Sequence, residues 1–174
     1  MLYTGKGDNG TTKLYGSTER TAKDDARIAL LGDVDELNSF LGYCRALACG
    51  DRVAPVRGTL LQIQEDLFII QAFIAGAPKS LAPSRLSIIE EGIAAVEHEI
   101  GALRSFIIPG STVLSGALDV ARTIARRTER SAVALHDQQL TPVIPYLNRL
   151  SSALFALARL AAHRTHVTEK PPSY

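Results

Sequence analysis

Leu30, Val34, Leu37 and Leu41 recur at three- and four-residue steps within 25–48, the spacing of one apolar helix face. Four further segments share that rhythm. Pro55 suits the first turn of a second helix, which carries Leu60, Ile63, Leu67, Ile70 and Phe73 toward Gly76. A third begins near Pro83 and Ser84 and runs through Leu86, Ile89, Ile93, Val96 and Ile100 to Gly101. The fourth follows Pro109-Gly110-Ser111 and continues to about His136. Pro145 stands near the start of the fifth, where Leu147, Leu150, Leu154, Leu157 and Ala161 repeat at the same spacing. Strand signals are almost absent. Short connections between the helices predict antiparallel neighbours, and so a helical bundle. Residues 1–24 form a polar opening segment, 25–167 the bundle, and 168–174 a tail whose Pro171 and Pro172 cannot be helical.

Composition narrows this picture. A chain of 174 residues is the size of one domain with a real core, and 46% hydrophobic with 21% charged residues is the balance of a globular protein. No apolar run approaches the roughly 20 residues of a membrane span. Residues 1–10 carry Lys6 and Asp8 and lack a signal peptide's apolar stretch, so the expected location is the cytoplasm. Cys44 and Cys49, five apart on a predicted helix, point to different faces and read as buried or half-buried thiols. A net charge of +1 gives no global attraction to nucleic acid, so any anion site must come from local clustering.

Two clusters qualify. In the first, 4–13, Gly5-Lys6-Gly7-Asp8-Asn9-Gly10 matches a dinucleotide fingerprint by letter, but no strand precedes it and no apolar helix opens after it. Its glycines, threonines, Lys6 and Lys13 suit a polyphosphate, or else make a loose polar terminus. The second lies in the fourth helix. Asp119, Arg122, Arg126, Glu129 and Arg130 fall within an arc of about 100°, with Arg127 further round. The acids answer only part of the arginine charge, which leaves an anion site or a solvated face.

Other positions are less decisive. Asn148, Ser152, Phe155 and Arg159 share a stripe on the fifth helix, where Asn148 is either a surface amide or a ligand group. Asp35 and Asn38 flank an apolar stripe; an acid there is an exposed rim residue or half of an ion pair across an interface. The apolar loop from Phe106 to Gly110 reads as a plug over the bundle end. His163 and His166 are spaced like metal ligands on a helix but lack a third ligand, so no protein metal site is assigned.

The order of the motifs adds what none carries singly. Tyr3-Thr4-Gly5-Lys6-Gly7-Asp8-Asn9-Gly10, Lys23-Asp24-Asp25 and Gly32-Asp33-Val34-Asp35-Glu36-Leu37-Asn38 resemble the start of PduO-type ATP:cob(I)alamin adenosyltransferases. Phe106-Ile107-Ile108-Pro109-Gly110, Ala121-Arg122-Thr123 through Arg130, and Tyr146-Leu147-Asn148-Arg149-Leu150-Ser151 continue the likeness; the second and third helices match only in pattern. The resemblance implies an all-α, ferritin-like five-helix bundle, assembled as a homotrimer with active sites between subunits. It implies transfer of the adenosyl group of ATP, as its Mg²⁺ complex, to cob(I)alamin. Thr4, Gly5, Lys6, Gly7, Thr12, Lys13 and Lys23 would wrap the triphosphate, and Arg126, Arg127, Thr128, Glu129, Arg130 and Asn148 would hold the nucleotide. Arg122 would lie near the reacting end, Asp35 would pair with Arg126 across a subunit boundary, and Phe106 would sit beneath the corrin and keep the lower ligand off cobalt. A cob(II)alamin reductase and an adenosylcobalamin-dependent enzyme are the implied partners, with neither nucleic acid nor membrane. Three positions depart from the family pattern: Ser111 for a second glycine, Asp119 for a histidine, and Asp33 for a glutamate. The alternatives are a non-catalytic ATP- or corrinoid-binding bundle and a purely structural one.

Overall fold

The computed structural model describes residues 2–103 and 105–174. Its five long helices are α1 (Ala26–Leu47), α2 (Ala54–Ile74), α3 (Ser84–Ile100), α4 (Val113–Ala134) and α5 (Ile144–Arg164). Each starts where local chemistry permits. The Asp25 carboxylate accepts from the Arg27 amide at 2.8 Å and caps α1, relieving a free N–H of the first turn. Pro55 and Pro145 occupy the first turns of α2 and α5, where a missing N–H costs nothing. Thr112 and Ser115 cap α4 reciprocally through side chain and backbone. Gly101, at φ +80°, takes the left-handed turn that ends α3.

The core follows the predicted stripes. Leu30, Val34, Leu37 and Leu41 of α1 are wholly buried, as are Leu60, Leu67 and Ile70 of α2 and Leu147, Leu150 and Leu154 of α5. Burying each such side chain is worth about 1.5–3 kcal/mol, which outweighs what helix propensity alone supplies. α4 packs against α5 and α1, α2 against α1, and α3 against α5. An ion pair joins α3 to α2. The Arg85 guanidinium donates to both Asp66 carboxylate oxygens at 2.7 and 2.8 Å, and the buried Tyr146 hydroxyl donates to the same group at 2.7 Å. Burial together with that carboxylate pushes the Tyr146 phenol up. At one end of the bundle Arg27 pairs with Asp137 and donates to the Ile74 carbonyl, tying the start of α1 to the end of α2 and to the α4–α5 turn.

Three expectations change. The opening segment contains two antiparallel two-residue strands, β1 (Thr11–Thr12) and β2 (Thr21–Ala22), too short for a periodicity to reveal. Cys44 is buried, its thiol pushed up to about 12 by desolvation, but Cys49 is exposed because α1 has already ended. His166 likewise lies past the end of α5 with φ +60°, so it shares no helix face with His163. Among the described residues, no helix is long and apolar enough to cross a membrane.

Candidate active site

The polar opening segment is folded rather than loose. Gly5 and Gly10 adopt φ +66° and +76°, conformations that β-carbons disfavour. They permit two consecutive turns, in which the Asp8 amide donates to the Gly5 carbonyl and the Gly10 amide to the Gly7 carbonyl. The Lys23 amide donates to the Gly10 carbonyl, and its ammonium lies so close to Gly7 that a β-carbon there would stand 3.2 Å from Nζ. Thr4, Lys6 and Lys13 are exposed on the same segment, and Thr12 is half-buried in β1. The Tyr15 amide, bonded to the Ala75 carbonyl, fixes the segment against the end of α2.

A second site forms where α3, α4 and α5 diverge. A cleft of about 430 Å³ is lined by Ile93, Val96, Leu103, Arg122, Arg126 and Phe155 among others. A neighbouring cleft of about 590 Å³ shares Leu103, Arg122 and Phe155 and adds Phe106, Ile107 and Pro109. Arg126 is exposed and makes no ion pair among the described residues, nor does Arg130. Arg122 reaches Asp119 only at 3.8 Å, with its buried Nε unpartnered. Phe106 is 80% exposed, which rules out a plug: its ring lines the mouth of the cleft instead of filling the core.

Beneath this cleft lies a buried charge cluster. Arg159, 2% exposed within an apolar stretch of α5, contacts the Asp119 carboxylate at 2.7 Å and the Glu169 carboxylate at 3.0 Å, and stacks over Phe155 at 4.9 Å. Desolvation raises the Glu169 pKa against the opposing pull of Arg159. Ser111 donates to Glu169 at 3.2 Å, and the Ile108 amide donates to the Lys170 carbonyl at 2.9 Å, so the tail braces the loop that carries Phe106. Gly110 turns at φ +98°, its Cα only 3.3 Å from where a β-carbon on Gly116 would be.

Not every expected contact with nucleotide is available. Thr128 faces inward, wholly buried, with its hydroxyl donating to the Ile124 carbonyl at 3.1 Å and lying 3.3 Å from the Asp33 carbonyl. It presents no atom to a ligand, which corrects its assignment to the nucleotide. Arg127 is likewise turned toward α1, where it pairs with Glu36 and lies 3.6 Å from Asp33. The Glu36 carboxylate holds its pKa above the ordinary arginine value. Glu129 and Asn148 are brought together across α4 and α5 at 2.7 Å. Asp35 is exposed on α1 and accepts from Gln71 at 3.3 Å; no residue of the 4–23 segment lines either cleft.

A sequence model of the cobalamin adenosyltransferase family matches residues 2–161. The chain belongs to this family. It is 43% identical over 169 residues to a corrinoid adenosyltransferase of Citrobacter freundii, covering 91% of this chain and 93% of the relative. The corrinoid adenosyltransferase of Mycobacterium tuberculosis H37Rv is 41% identical over 172 residues, covering 92% and 88%. The fold matches a phenylalanine-to-alanine variant of a PduO-type ATP:corrinoid adenosyltransferase from Lactobacillus reuteri, complexed with cobalamin and ATP, with a TM-score of 0.94, 33% identity and 100% of both chains covered. An arginine-to-lysine variant of a PduO-type enzyme from that organism, complexed with ATP, matches at TM-score 0.90 and 34% identity, covering 99% of this chain and 100% of that one.

In this cobalamin adenosyltransferase the three departures have structural partners. Asp33 accepts from Ser131 at 2.5 Å and joins α1 to α4; Asp119 and Ser111 belong to the Arg159 cluster. Sequence reasoning missed Glu169, which sits in a polar stretch without a pattern. Arg159 did carry a signal: an arginine flanked by Leu157, Ala158 and Leu160 must find a carboxylate when its helix face is buried.

Proposed function

We propose that the chain transfers the 5′-deoxyadenosyl group of ATP to the cobalt of a reduced corrinoid and releases triphosphate. The observation that carries this reading is the pair of neighbouring clefts that share Arg122 and the half-buried Phe155, one lined also by Arg126, which makes no ion pair among the described residues, and the other by the exposed Phe106. Such a wall takes a polyanion at one side and a large flat apolar ring at the other. The relatives' names and complexes supply both ligand classes. The phenylalanine and arginine altered in the Lactobacillus reuteri proteins are twenty positions apart, as are Phe106 and Arg126.

The step needs no base. The cobalt(I) lone pair attacks C5′, a cobalt–carbon bond forms, and the C5′–O bond breaks with its electrons leaving on triphosphate. Cobalt ends two electrons more oxidised and no proton moves. What the protein contributes is orientation of two reactants and stabilisation of a departing polyanion. Lys6, Lys13 and Lys23 with the Thr4 and Thr12 hydroxyls would hold the triphosphate, and Arg126, Arg130, Glu129 and Asn148 the nucleotide. Phe106 would cover the lower face of the corrin and exclude the axial donor, which makes cobalt(II) easier to reduce. Mg²⁺ on the phosphates would supply further positive charge; ammonium, hydroxyl and N–H donors fit the oxygens the metal leaves free.

The 4–13 segment and Asp35 lie apart from the cleft of their own chain, which supports a homotrimer whose sites combine residues of two subunits, with Asp35 meeting Arg126 of a neighbour. A cob(II)alamin reductase supplying the substrate, an adenosylcobalamin-dependent enzyme taking the product, and a cytoplasmic setting complete this reading. Each of the three departures has a structural partner, so nothing favours a non-catalytic binder. The test is anaerobic: the protein, chemically reduced cobalamin and ATP with Mg²⁺ should yield the visible spectrum of a light-sensitive alkylcobalamin, and an unchanged cob(I)alamin spectrum would reject the activity.

A further inference from the structure

Residues 101–112 link α3 to α4 and carry Phe106 at the mouth of the cleft. Among the described residues, two hydrogen bonds join 105–111 to another part of the chain, and both go to the tail. The Ile108 amide donates to the Lys170 carbonyl at 2.9 Å, and the Ser111 hydroxyl donates to the Glu169 carboxylate at 3.2 Å, on either side of Pro109 and Gly110. The tail itself has no regular structure beyond α5. Thr168 and Lys170 are exposed, yet Glu169 between them turns inward, its carboxylate 3.0 Å from Arg159 Nε. Arg159 is fixed in the bundle by Asp119 of α4 at 2.7 Å. That single carboxylate already answers the buried guanidinium, so Glu169 is not required to keep its charge paired.

We propose that Glu169 is a positioning residue for the corrinoid half of the reaction: paired with Arg159, it anchors the tail, and through the tail the loop that carries Phe106. This rests on the reading of the cleft beside Phe106 as the corrinoid site. Glu169 lines neither cleft, so it acts only through the loop. The lower donor that Phe106 must keep off cobalt is tethered to the corrinoid and returns at high effective concentration. A phenylalanine on a loose loop competes poorly with it, and one on an anchored loop competes well. The anchor matters in the complex with corrinoid and ATP, where the loop and the donor contend for the same face of the ring.

The experiment compares full-chain Glu169→Ala and Glu169→Gln with the unaltered protein, anaerobically, in the presence of cob(II)alamin, ATP and Mg²⁺. Glutamine keeps an oxygen for Ser111 but not the charge that Arg159 attracts. The visible spectrum reads the ratio of cobalamin without its lower donor to cobalamin with it, and hydrogen exchange in the same complex reads the Ile108 amide. In Glu169→Ala the ratio should fall about 5- to 50-fold and Ile108 should exchange faster, with Glu169→Gln between that variant and the unaltered protein. With cob(I)alamin supplied already reduced, kcat and the KM for ATP should each stay within about twofold, because cobalt(I) holds no lower donor to displace. Melting temperature should change little, since Arg159 keeps Asp119. An unchanged ratio in Glu169→Ala overturns the proposal. Equal losses in ATP affinity and cob(I)alamin turnover overturn it too, because Glu169 would then merely support the fold. Full retention of the ratio in Glu169→Gln overturns the pairing with Arg159 as the cause. An unaltered protein that never removes the lower donor overturns the reading of the cleft, and the proposal with it.

Discussion

Arg159 and Asp119 meet at 2.7 Å in the interior, with side chains 1% and 5% exposed, and Glu169 shares the same guanidinium from the tail. A pair so placed costs little while complete and much when broken, because the survivor is a buried unpaired charge. Arg159→Met, which leaves two carboxylates facing each other, should destabilise the fold by about 3–5 kcal/mol in urea titration. Adding Asp119→Leu to it should recover much of that loss. A double variant no more stable than the single one would show that packing, not charge, sets the cost.

Glu99 and Arg164 form a bidentate pair, 2.7 Å at both contacts, that fastens the end of α3 to α5. The guanidinium hydrogen bonds hold the Glu99 pKa below the ordinary value of 4.5. A lowered folded-state pKa means the pair stabilises fully above the unfolded value, and the contribution is lost as pH falls through the folded one. Both side chains are partly exposed, so solvent screening limits the effect to less than about 1 kcal/mol. Urea midpoints of Glu99→Gln should lie below those of the unaltered chain at pH 7 and converge with them below pH 4.5. A gap independent of pH would assign the difference to something other than this charge.

Arg126→Ala or Lys13→Ala should weaken ATP binding or turnover, because each removes a charge-assisted contact of about 1.5–3 kcal/mol. That range is about 10- to 150-fold in KM for ATP or in kcat/KM. Unchanged kinetics in both variants would return α4 to a solvated charged face.

The helices were legible because apolar spacing, first-turn prolines and terminal glycines all agree. The direction of individual side chains was less so. Assigning the whole run from Arg126 to Arg130 to nucleotide ignored the helical wheel: residues four apart share a face, but Thr128 lies about 200° round from Arg126 and is buried. Arg127 is claimed by Glu36 of α1, ninety-one positions earlier, a contact that only the packing of α1 on α4 creates. Glu169 was illegible for the same reason, since it reaches Ser111, fifty-eight positions earlier. Phe106 read as a plug from its apolar loop, and only its exposure excludes that.

Phe106 bears no charge and lies away from the polar loop, so Phe106→Ala should leave ATP affinity within about twofold. It should lose most activity when a mild reductant must generate cobalt(I) on the enzyme, and recover part of it when cob(I)alamin is supplied already reduced. Equal losses in both assays, at matched folded protein, would remove Phe106 from the cobalt chemistry.

In the proposed reaction cobalt attacks C5′ and triphosphate leaves whole. Anaerobic turnover of ATP carrying ¹³C at C5′, followed by ¹³C and ³¹P NMR, tests it directly. A cobalt-bound ¹³CH₂ signal and one intact triphosphate for each corrinoid alkylated are the expected products. ADP and phosphate, or label that stays on the nucleotide, would contradict it.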